Sequence, residues 1–295
     1  MTGPNLFERI LVPTDMSEVG DLALLYALHF SEKLGSKLTL LYAEEISWLA
    51  AEHPAGYYFA NVAEAKLALT KGLHEYAASR LPAKAQVTTL FEDDAPEPAI
   101  ARVARDIKAD LIVMGTHGRR GFRRALLGSV AEGVIRESDV PVITVNPSRF
   151  PEDASVGIRI VLCPVNFTEV ARIALEQASA IAESFGAQLV VMHVCEAGEP
   201  RLTSEVQKEF STWVEPQVRA NTRYRELVVH GDAAARVLET ADELNADLLV
   251  IGAQHRFFAD ATVIGTTTER ITRFARHAVM TVVRKPVEEK RVAVA

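Results

Sequence analysis

The strongest constraint on this chain is an internal repeat. Ile10-Leu11-Val12-Pro13-Thr14-Asp15-Met16-Ser17-Glu18 returns as Val161-Leu162-Cys163-Pro164-Val165-Asn166-Phe167-Thr168-Glu169. Ala109-Asp110-Leu111-Ile112-Val113-Met114-Gly115 likewise returns as Ala246-Asp247-Leu248-Leu249-Val250-Ile251-Gly252. These are two copies of one domain, and 295 residues suit two at roughly 100–200 residues each. The expected domains are residues 1–148 and 156–285, followed by a loosely held charged tail, 286–295. The junction falls near Pro147–Val156, where prolines and polar residues interrupt both strand and helix patterns.

Within the first copy, short apolar runs predict strands at Arg9–Pro13, Lys37–Tyr42, Ala85–Phe91, Ala109–Met114 and Val140–Val145. Between them lie helical patterns: one capped by Ser17 and ended by Gly35, then Val62–Arg80, Pro96–Ile107 and Ser129–Ser138. The second copy predicts strands at Ile158–Cys163, Gln188–His193, Tyr224–Val229, Asp247–Ile251 and Val279–Val283. Its helical patterns lie at Thr168–Phe185, around Arg201–Val218 with Pro216 disturbing the end, at Ala233–Leu244 and at Thr266–Ala275. Strict alternation of strand and helix means an α/β fold with a parallel sheet, right-handed crossovers and helices on both faces. In such a sheet the ligand crevice lies at the carboxyl ends of the strands, where strand order reverses. Asp15, past the first strand, and the loop at Gly115, past the fourth, should meet there.

That loop carries the chemistry. Gly115-Thr116-His117-Gly118 comes after a buried strand, and nine residues later Gly128-Ser129 opens a helical pattern. The glycines let backbone turn and approach a ligand, and the helix start points free N–H groups and a positive dipole end at the same spot. The arrangement reads as a phosphate cradle; the plainer reading is a structural turn. Asp15 could accept hydrogen bonds from ribose hydroxyls or an exocyclic amine, or could simply complement the dipole of the next helix. Of Arg119, Arg120, Arg123 and Arg124, one could reach a terminal phosphate beside Mg²⁺, whereas a solvated basic face suits the rest. His117 lies within phosphate reach but has no partner carboxylate nearby in the sequence to make it a general base.

Composition narrows the classes. A net charge of −7 argues against nucleic acid or an anionic membrane as partner. No apolar run reaches membrane-spanning length, and Met1–Arg9 lacks a signal-peptide core, so a cytoplasmic protein is expected. Cys163 and Cys195 fit no zinc spacing; they read as buried thiols, with a disulfide between the ends of adjacent strands as the other reading. Trp48, His53, Tyr57, Tyr58 and Phe59 fall in a stretch, Ala43–Asn61, that could close over a base, bind a partner or pack on a helix.

The spacing G-x2-G-x9-G-S at Gly115, Gly118, Gly128 and Ser129, together with Pro13-Thr14-Asp15, resembles the ATP-binding branch of the universal stress protein family in a tandem two-domain form. The resemblance covers nearly the whole chain. It implies two Rossmann-like, adenine nucleotide alpha hydrolase-like domains, each a five-stranded sheet in the order 3-2-1-4-5. It implies ATP as the ligand, held with or without Mg²⁺ between the first and fourth strands. Asp15 and the backbone of Ala43 would take the adenine and ribose end. Pro13, Thr14 and Gly115 would line the sugar, and Gly118, Gly128, Ser129 and Val130 would hold the phosphates. Stress-related regulation enters by the same resemblance.

The second half departs from the pattern. Asn166 stands in place of Asp15, and His255 puts a side chain where Gly118 would let backbone approach phosphate. Gly252 and Gly265-Thr266 survive. A degenerate, structural second domain is the expectation; a weak second site would use Asn166, Gly252, His255, Gly265 and Thr266. Two functions are compatible with these residues: a nucleotide-dependent stress-response regulator, or an interaction scaffold with vestigial pockets that binds a protein partner. Slow ATP hydrolysis stays open, although the sequence supplies phosphate donors rather than a positioned base. There is no Walker loop. Val140–Val145 or Val279–Val283 should be an apolar sheet edge, and such edges invite pairing. The resemblance implies that the halves form an intramolecular pseudo-dimer through these last strands and that whole chains pair again as a homodimer.

Overall fold

A computed structural model of the chain describes residues 6–46, 55–82, 84–116, 127–146, 157–196, 203–253, 255–258 and 261–283. The first half runs β1 (Arg9–Pro13), α1 (Glu18–Leu34), β2 (Lys37–Ala43), α2 (Ala55–Arg80), β3 (Val87–Glu92), α3 (Pro96–Asp106), β4 (Leu111–Gly115), α4 (Ser129–Glu137) and β5 (Val142–Val145). The second runs β6 (Ile160–Pro164), α5 (Glu169–Phe185), β7 (Gln188–Cys195), α6 (Thr203–Val214), β8 (Arg223–His230), α7 (Ala233–Leu244), β9 (Leu248–Ala253), a hairpin of β10 (His255–Phe258) and β11 (Ala261–Ile264), α8 (Thr266–Phe274) and β12 (Ala278–Val283). Each half is an α/β domain with strand order 3-2-1-4-5: β3-β2-β1-β4-β5 and β8-β7-β6-β9-β12. Within each half every pair in the sheet is parallel.

The repeat in sequence is a repeat in local chemistry. Ser17 accepts the Gly20 N–H at the start of α1, and Thr168 accepts the Ala171 N–H at the start of α5. Both helices stop at a glycine in the left-handed region, Gly35 at φ 74° and Gly186 at φ 69°, where a side chain would be strained. The recurring Ala-Asp-Leu also has a physical cause. Asp110 accepts the N–H groups of Glu8 and Arg9 at 2.9 and 3.0 Å, and Asp247 those of Arg159 and Ile160 at 2.8 and 2.9 Å. Each aspartate fastens the entry of the first strand of its half to the fourth, so β4 and β9 start one residue or two later than the apolar runs suggest.

The last strands do not remain edges. β5 and β12 pair antiparallel, Thr144 opposite Val279 and Thr281 opposite Val142, and this joins the halves into one ten-stranded sheet. Thr144 Oγ1 donates to the Val279 carbonyl at 3.3 Å and Thr281 Oγ1 to the Val142 carbonyl at 3.2 Å. Thr144 and Thr281 hold the same place in the repeat, so the contact is isologous, as in a two-fold dimer. The edges are instead β3 and β8. On one face a single core runs through both halves under α1, α2, α5 and α6, with Phe30 against Phe185 at 5.0 Å between ring centroids. His29 packs on Phe185 as well, and burial lowers its pKa, favouring the neutral ring. On the other face the cores under α3 and α4 and under α7 and α8 are separate.

Three expectations are corrected. First, α2 begins at Ala55 rather than Val62, so Tyr57, Tyr58 and Phe59 sit in a helix; Pro54, which has no N–H to lose, precedes it in the sequence. Trp48 and His53 lie outside the described residues. Second, the segment after β9 is a hairpin rather than a glycine-type loop. Third, the thiols do not face each other: Cys163 is in register with Val191, and Cys195 lies four residues further along β7, opposite His230. At about 3.3 Å per residue that offset exceeds the Cα separation a disulfide spans. Burial pushes the Cys163 thiol pKa far up, away from redox reactivity.

Two substitutions test this packing. Met280 is fully buried at the centre of the β5–β12 pair, opposite Ile143. Met280→Glu should cost about 3–5 kcal/mol in urea unfolding by leaving a carboxylate buried without a partner, whereas Met280→Leu should cost under about 1.5 kcal/mol. At Gly252 a Cβ would come within 3.0 Å of the Val170 carbonyl carbon and oxygen, backbone that cannot step aside, while at Gly72 in α2 it would meet nothing within 4 Å. Gly252→Ala should therefore destabilise by about 1–3 kcal/mol and Gly72→Ala stabilise by about 0.4–1 kcal/mol.

Candidate functional site

Strand order reverses between β1 and β4, which opens a crevice at their carboxyl ends. β1 pairs with β2 as far as Pro13 opposite Leu41, and the Thr14 N–H still reaches the Leu41 carbonyl at 2.8 Å. β2 continues along β3 to Ala43 opposite Glu92. Ala43 thus projects beyond the end of β1, at the lip of the crevice. Asp93, just past β3, holds the chain beyond Ala43: it accepts the Ile46 N–H at 2.9 Å and pairs with Lys66 of α2 at 2.7 Å. Lys66 and the Ile46 N–H together hold the Asp93 carboxyl below its ordinary pKa.

From Pro13 the chain turns sharply into α1. Met16 adopts φ 59°, and the Thr14 hydroxyl accepts its N–H at 2.9 Å. That hydroxyl lies against Gly20, where a Cβ would come to 2.6 Å from it; a glycine in the first turn of α1 is what makes room. Asp15 is half-buried, and its Oδ1 accepts both the Ser17 N–H at 3.1 Å and the Ser17 hydroxyl at 2.5 Å. Asp15 therefore does orient the residue that caps α1, as its helix-start reading expects. A carboxylate has about four acceptor positions, so the two bonds to Ser17 account for only part of what Asp15 can accept.

β4 delivers Gly115, half-buried, to the same crevice. Thr116 donates through N–H and hydroxyl to the Val145 carbonyl at 3.0 and 3.3 Å, and its own carbonyl accepts the Gly128 N–H at 2.7 Å. The loop between Thr116 and Gly128 is thereby cinched at its base. Gly128 is the cap residue of α4 and supplies no side-chain acceptor, so Ser129 and Val130 present the first-turn N–H groups and positive dipole end next to the crevice. Gly118, with His117, Arg119, Arg120, Arg123 and Arg124, lies outside the described residues. Pro13, Thr14, Asp15, Ala43, Gly115, Gly128, Ser129 and Val130 are all brought to the carboxyl end of β1, β2 and β4 or to the start of α4. A shallow hollow among Ala104, Ile112, Val134 and Val140 lies near the opposite, amino-terminal end of β4.

The second half keeps the frame and changes the contents. Asn166 Oδ1 accepts the Thr168 hydroxyl at 2.7 Å, as Asp15 accepts Ser17, and Phe167 repeats the turn at φ 60°. Val165 replaces Thr14. Phe167 packs within 4.6 Å of His193 and 5.6 Å of Trp213, and His193 Nδ1 bonds the Val165 carbonyl at 3.0 Å. In the first half the corresponding Tyr42 stacks on Phe91 of β3 instead. Gly252 is required by its approach to Val170, a structural reason independent of any ligand. His255 opens β10 in register with Ile264, so the stretch corresponding to the phosphate loop is spent on an antiparallel ladder. Gly265 caps α8 without a side-chain bond, Thr266 is exposed at its start, and Thr268 donates to the Gly252 carbonyl at 3.2 Å.

The sequence reading missed Gly20, Asp93 and the clamp at Thr116. Thr116 sits inside the glycine motif and could have been weighed there; Gly20 and Asp93 carry no local signal, because what each touches lies across the fold. Among the described residues no group of three His, Cys, Asp or Glu side chains is placed to hold a metal ion, and no helix is long and apolar enough to cross a membrane.

Comparison with known proteins agrees with this fold. The universal stress protein family matches residues 6–146 and again 157–283. A universal stress protein of Methanocaldococcus jannaschii is 32% identical over 148 residues, 48% of this chain and 84% of that protein. One from Mycolicibacterium smegmatis is 26% identical over 294 residues, 92% of this chain and 96% of that protein. The crystal structure of a universal stress protein from Archaeoglobus fulgidus superposes with a TM-score of 0.68 at 24% identity, covering 94% of this chain and 98% of that one, which speaks to the fold. With two matched copies spanning nearly the whole polypeptide, the chain belongs to the universal stress protein family.

Proposed function

We propose that the first half binds ATP in the crevice between β1 and β4, and that occupancy makes the protein a nucleotide-dependent regulator of a stress response. The observation that carries this reading is the contrast at the cinched loop. In the first half Thr116 and Gly128 bring a helix start with no side-chain cap to the crevice that Asp15 borders, while in the second the stretch between Gly252 and Gly265 is closed into a hairpin. One half keeps an anion-binding helix end facing a crevice with a carboxylate at its far side; the other has used that space for structure. Asp15 and the Ala43 backbone would receive the adenine and ribose end, Pro13, Thr14 and Gly115 would line the sugar, and Gly118, Gly128, Ser129 and Val130 would hold the phosphates, with or without Mg²⁺. Asn166, Gly252, His255, Gly265 and Thr266 would then form no working second site.

The partner reading is narrower than a generic apolar edge. β5 and β12 satisfy each other inside the chain, so a homodimer would have to use a different surface. The scaffold alternative draws its support from the second half, whose hairpin and aromatic cluster suit a structural or partner-binding role.

The test is to denature purified protein, quantify released adenine nucleotide per chain, and titrate the stripped protein with ATP and Mg²⁺. The expected result is one nucleotide per chain, with thermal stability rising by about 2.7 kcal/mol at a hundredfold excess over Kd. Gly118→Ala and Asp15→Ala should each weaken binding about tenfold or more, the first by adding a side chain where backbone would approach phosphate, the second by losing a charge-assisted hydrogen bond. Asp15→Asn separates the two duties of Asp15, since Asn166 shows that an amide still orients the cap hydroxyl; it should fold normally and bind ATP less well. Two nucleotides per chain would revive the second site. None, with no response to added ATP, would favour the scaffold.

A further inference from the structure

The hairpin of the second half does not stay within that half. Strand β11 lies against helix α4 of the first half. Two further bonds hold the same neighbourhood together. Arg273 of α8 reaches Glu132 of α4 at 3.6 Å, and the buried Asn146 side chain, just past β5, donates to the Ala275 carbonyl at the end of α8 at 2.9 Å. Helix α4 is the element whose first turn faces the candidate phosphate position, and it is only nine residues long, with no side-chain cap at its start. A helix this short draws its order from what packs on it rather than from its own ladder. On this face of the sheet the two halves have separate cores, so no apolar layer shared among the described residues fixes α4 relative to the second half. Among the described residues, the hairpin, the Arg273–Glu132 pair and the Asn146–Ala275 bond cross that gap, and the first two of these reach α4 itself.

From this placement we propose that the β10–β11 hairpin is a brace that positions α4, and that it is the route by which ATP in the first half is felt in the second. The inference rests on the nucleotide reading for its second clause only. The hairpin replaces a segment of identical length: thirteen positions separate Gly115 from Gly128 and thirteen separate Gly252 from Gly265. In the second half that stretch forms a four-pair antiparallel ladder, and the helix after it, like α4, is nine residues long. Linkage makes the coupling reciprocal. If the hairpin holds α4 in the geometry that receives phosphate, bound phosphate must stabilise the seated hairpin by the same factor. The second half then acts as the reader of a site it has itself lost. Its hairpin would be held more firmly against α4 when the first half is loaded than when it is empty, a signal displayed on the opposite domain.

Two variants of the full chain test the brace: Val263→Pro, which removes a ladder donor in β11, and replacement of residues 255–264 by a Gly/Ser segment of equal length. Amide hydrogen exchange over Ser129–Glu137 without nucleotide is the first readout. Loss of the hairpin should speed exchange there about tenfold while leaving α1 and α5 unchanged; unchanged exchange in α4 overturns the brace. The second readout is ATP affinity together with exchange in β10 and β11. The expected results are about tenfold weaker ATP binding in both variants, within the usual 5–150-fold range of site coupling, and slower hairpin exchange in the wild-type protein when ATP is added. Wild-type ATP binding that leaves the hairpin amides unchanged overturns the coupling. If the wild-type protein binds no ATP, the nucleotide reading and the coupling fail together, and the first readout still decides the brace.

Discussion

The rest of the molecule depends on the antiparallel pairing of β5 with β12. Two parallel α/β domains of this size each expose an apolar last strand whose unpaired N–H and C=O groups would recruit another chain. Here the two copies are covalently joined, and each covers the other. Val142, Ile143 and Val145 on one side and Val279, Met280 and Val282 on the other are almost wholly buried. The reciprocal bonds from Thr144 and Thr281 fix the register, because a slip of one residue would turn both hydroxyls to the wrong face. Joining the strands also brings α1 against α5 on one face of the sheet and α4 beside α8 on the other.

With the interface secured, the copies are free to differ where the fold does not need them alike. What both retain is mechanical: the cap hydroxyl held by Asp15 or Asn166, the left-handed turn at Met16 or Phe167, and the aspartates that fasten the entry strands. What differs is at the crevice. Thr14 becomes Val165, Tyr42 becomes His193 within an aromatic cluster, and Gly118 becomes His255, the first residue of a hairpin strand. The shared mechanics and the divergent crevice show that Asn166 is not simply a damaged Asp15. An amide does the capping work as well as a carboxylate, and only a ligand would distinguish them.

Much of the fold was legible because its signals are local. Buried parallel strands read as short apolar runs, and α1 and α5 announce themselves by Ser17, Thr168, Gly35 and Gly186. The candidate site was legible in outline for a similar reason: Asp15, Gly115 and Gly128 stand at strand and helix ends that an α/β sheet gathers on one side. The misreadings came from non-local causes. The start of α2 at Ala55 was hidden by a mixed run of aromatic and small residues. The hairpin was hidden because Phe257-Phe258 and Thr262-Val263 read as loop until they pair with each other. Gly20 looked like an ordinary glycine and Gly252 like a remnant of the phosphate motif; what presses on them is the Thr14 hydroxyl and the Val170 backbone, which approach from elsewhere.

The sequence by itself determined two copies of an α/β domain, the order of their elements and the placement of a glycine-lined helix start after the fourth strand. Each of these comes from periodicity, capping and repetition along the chain. Only the tertiary structure decided the antiparallel register in which the last strands pair, that Cys163 and Cys195 stay apart, that Asp15 serves a helix cap as well as facing the crevice, and that a hairpin of one half leans on a helix of the other. Those outcomes depend on register and on distances between segments far apart in the chain, and no local pattern of residues records either.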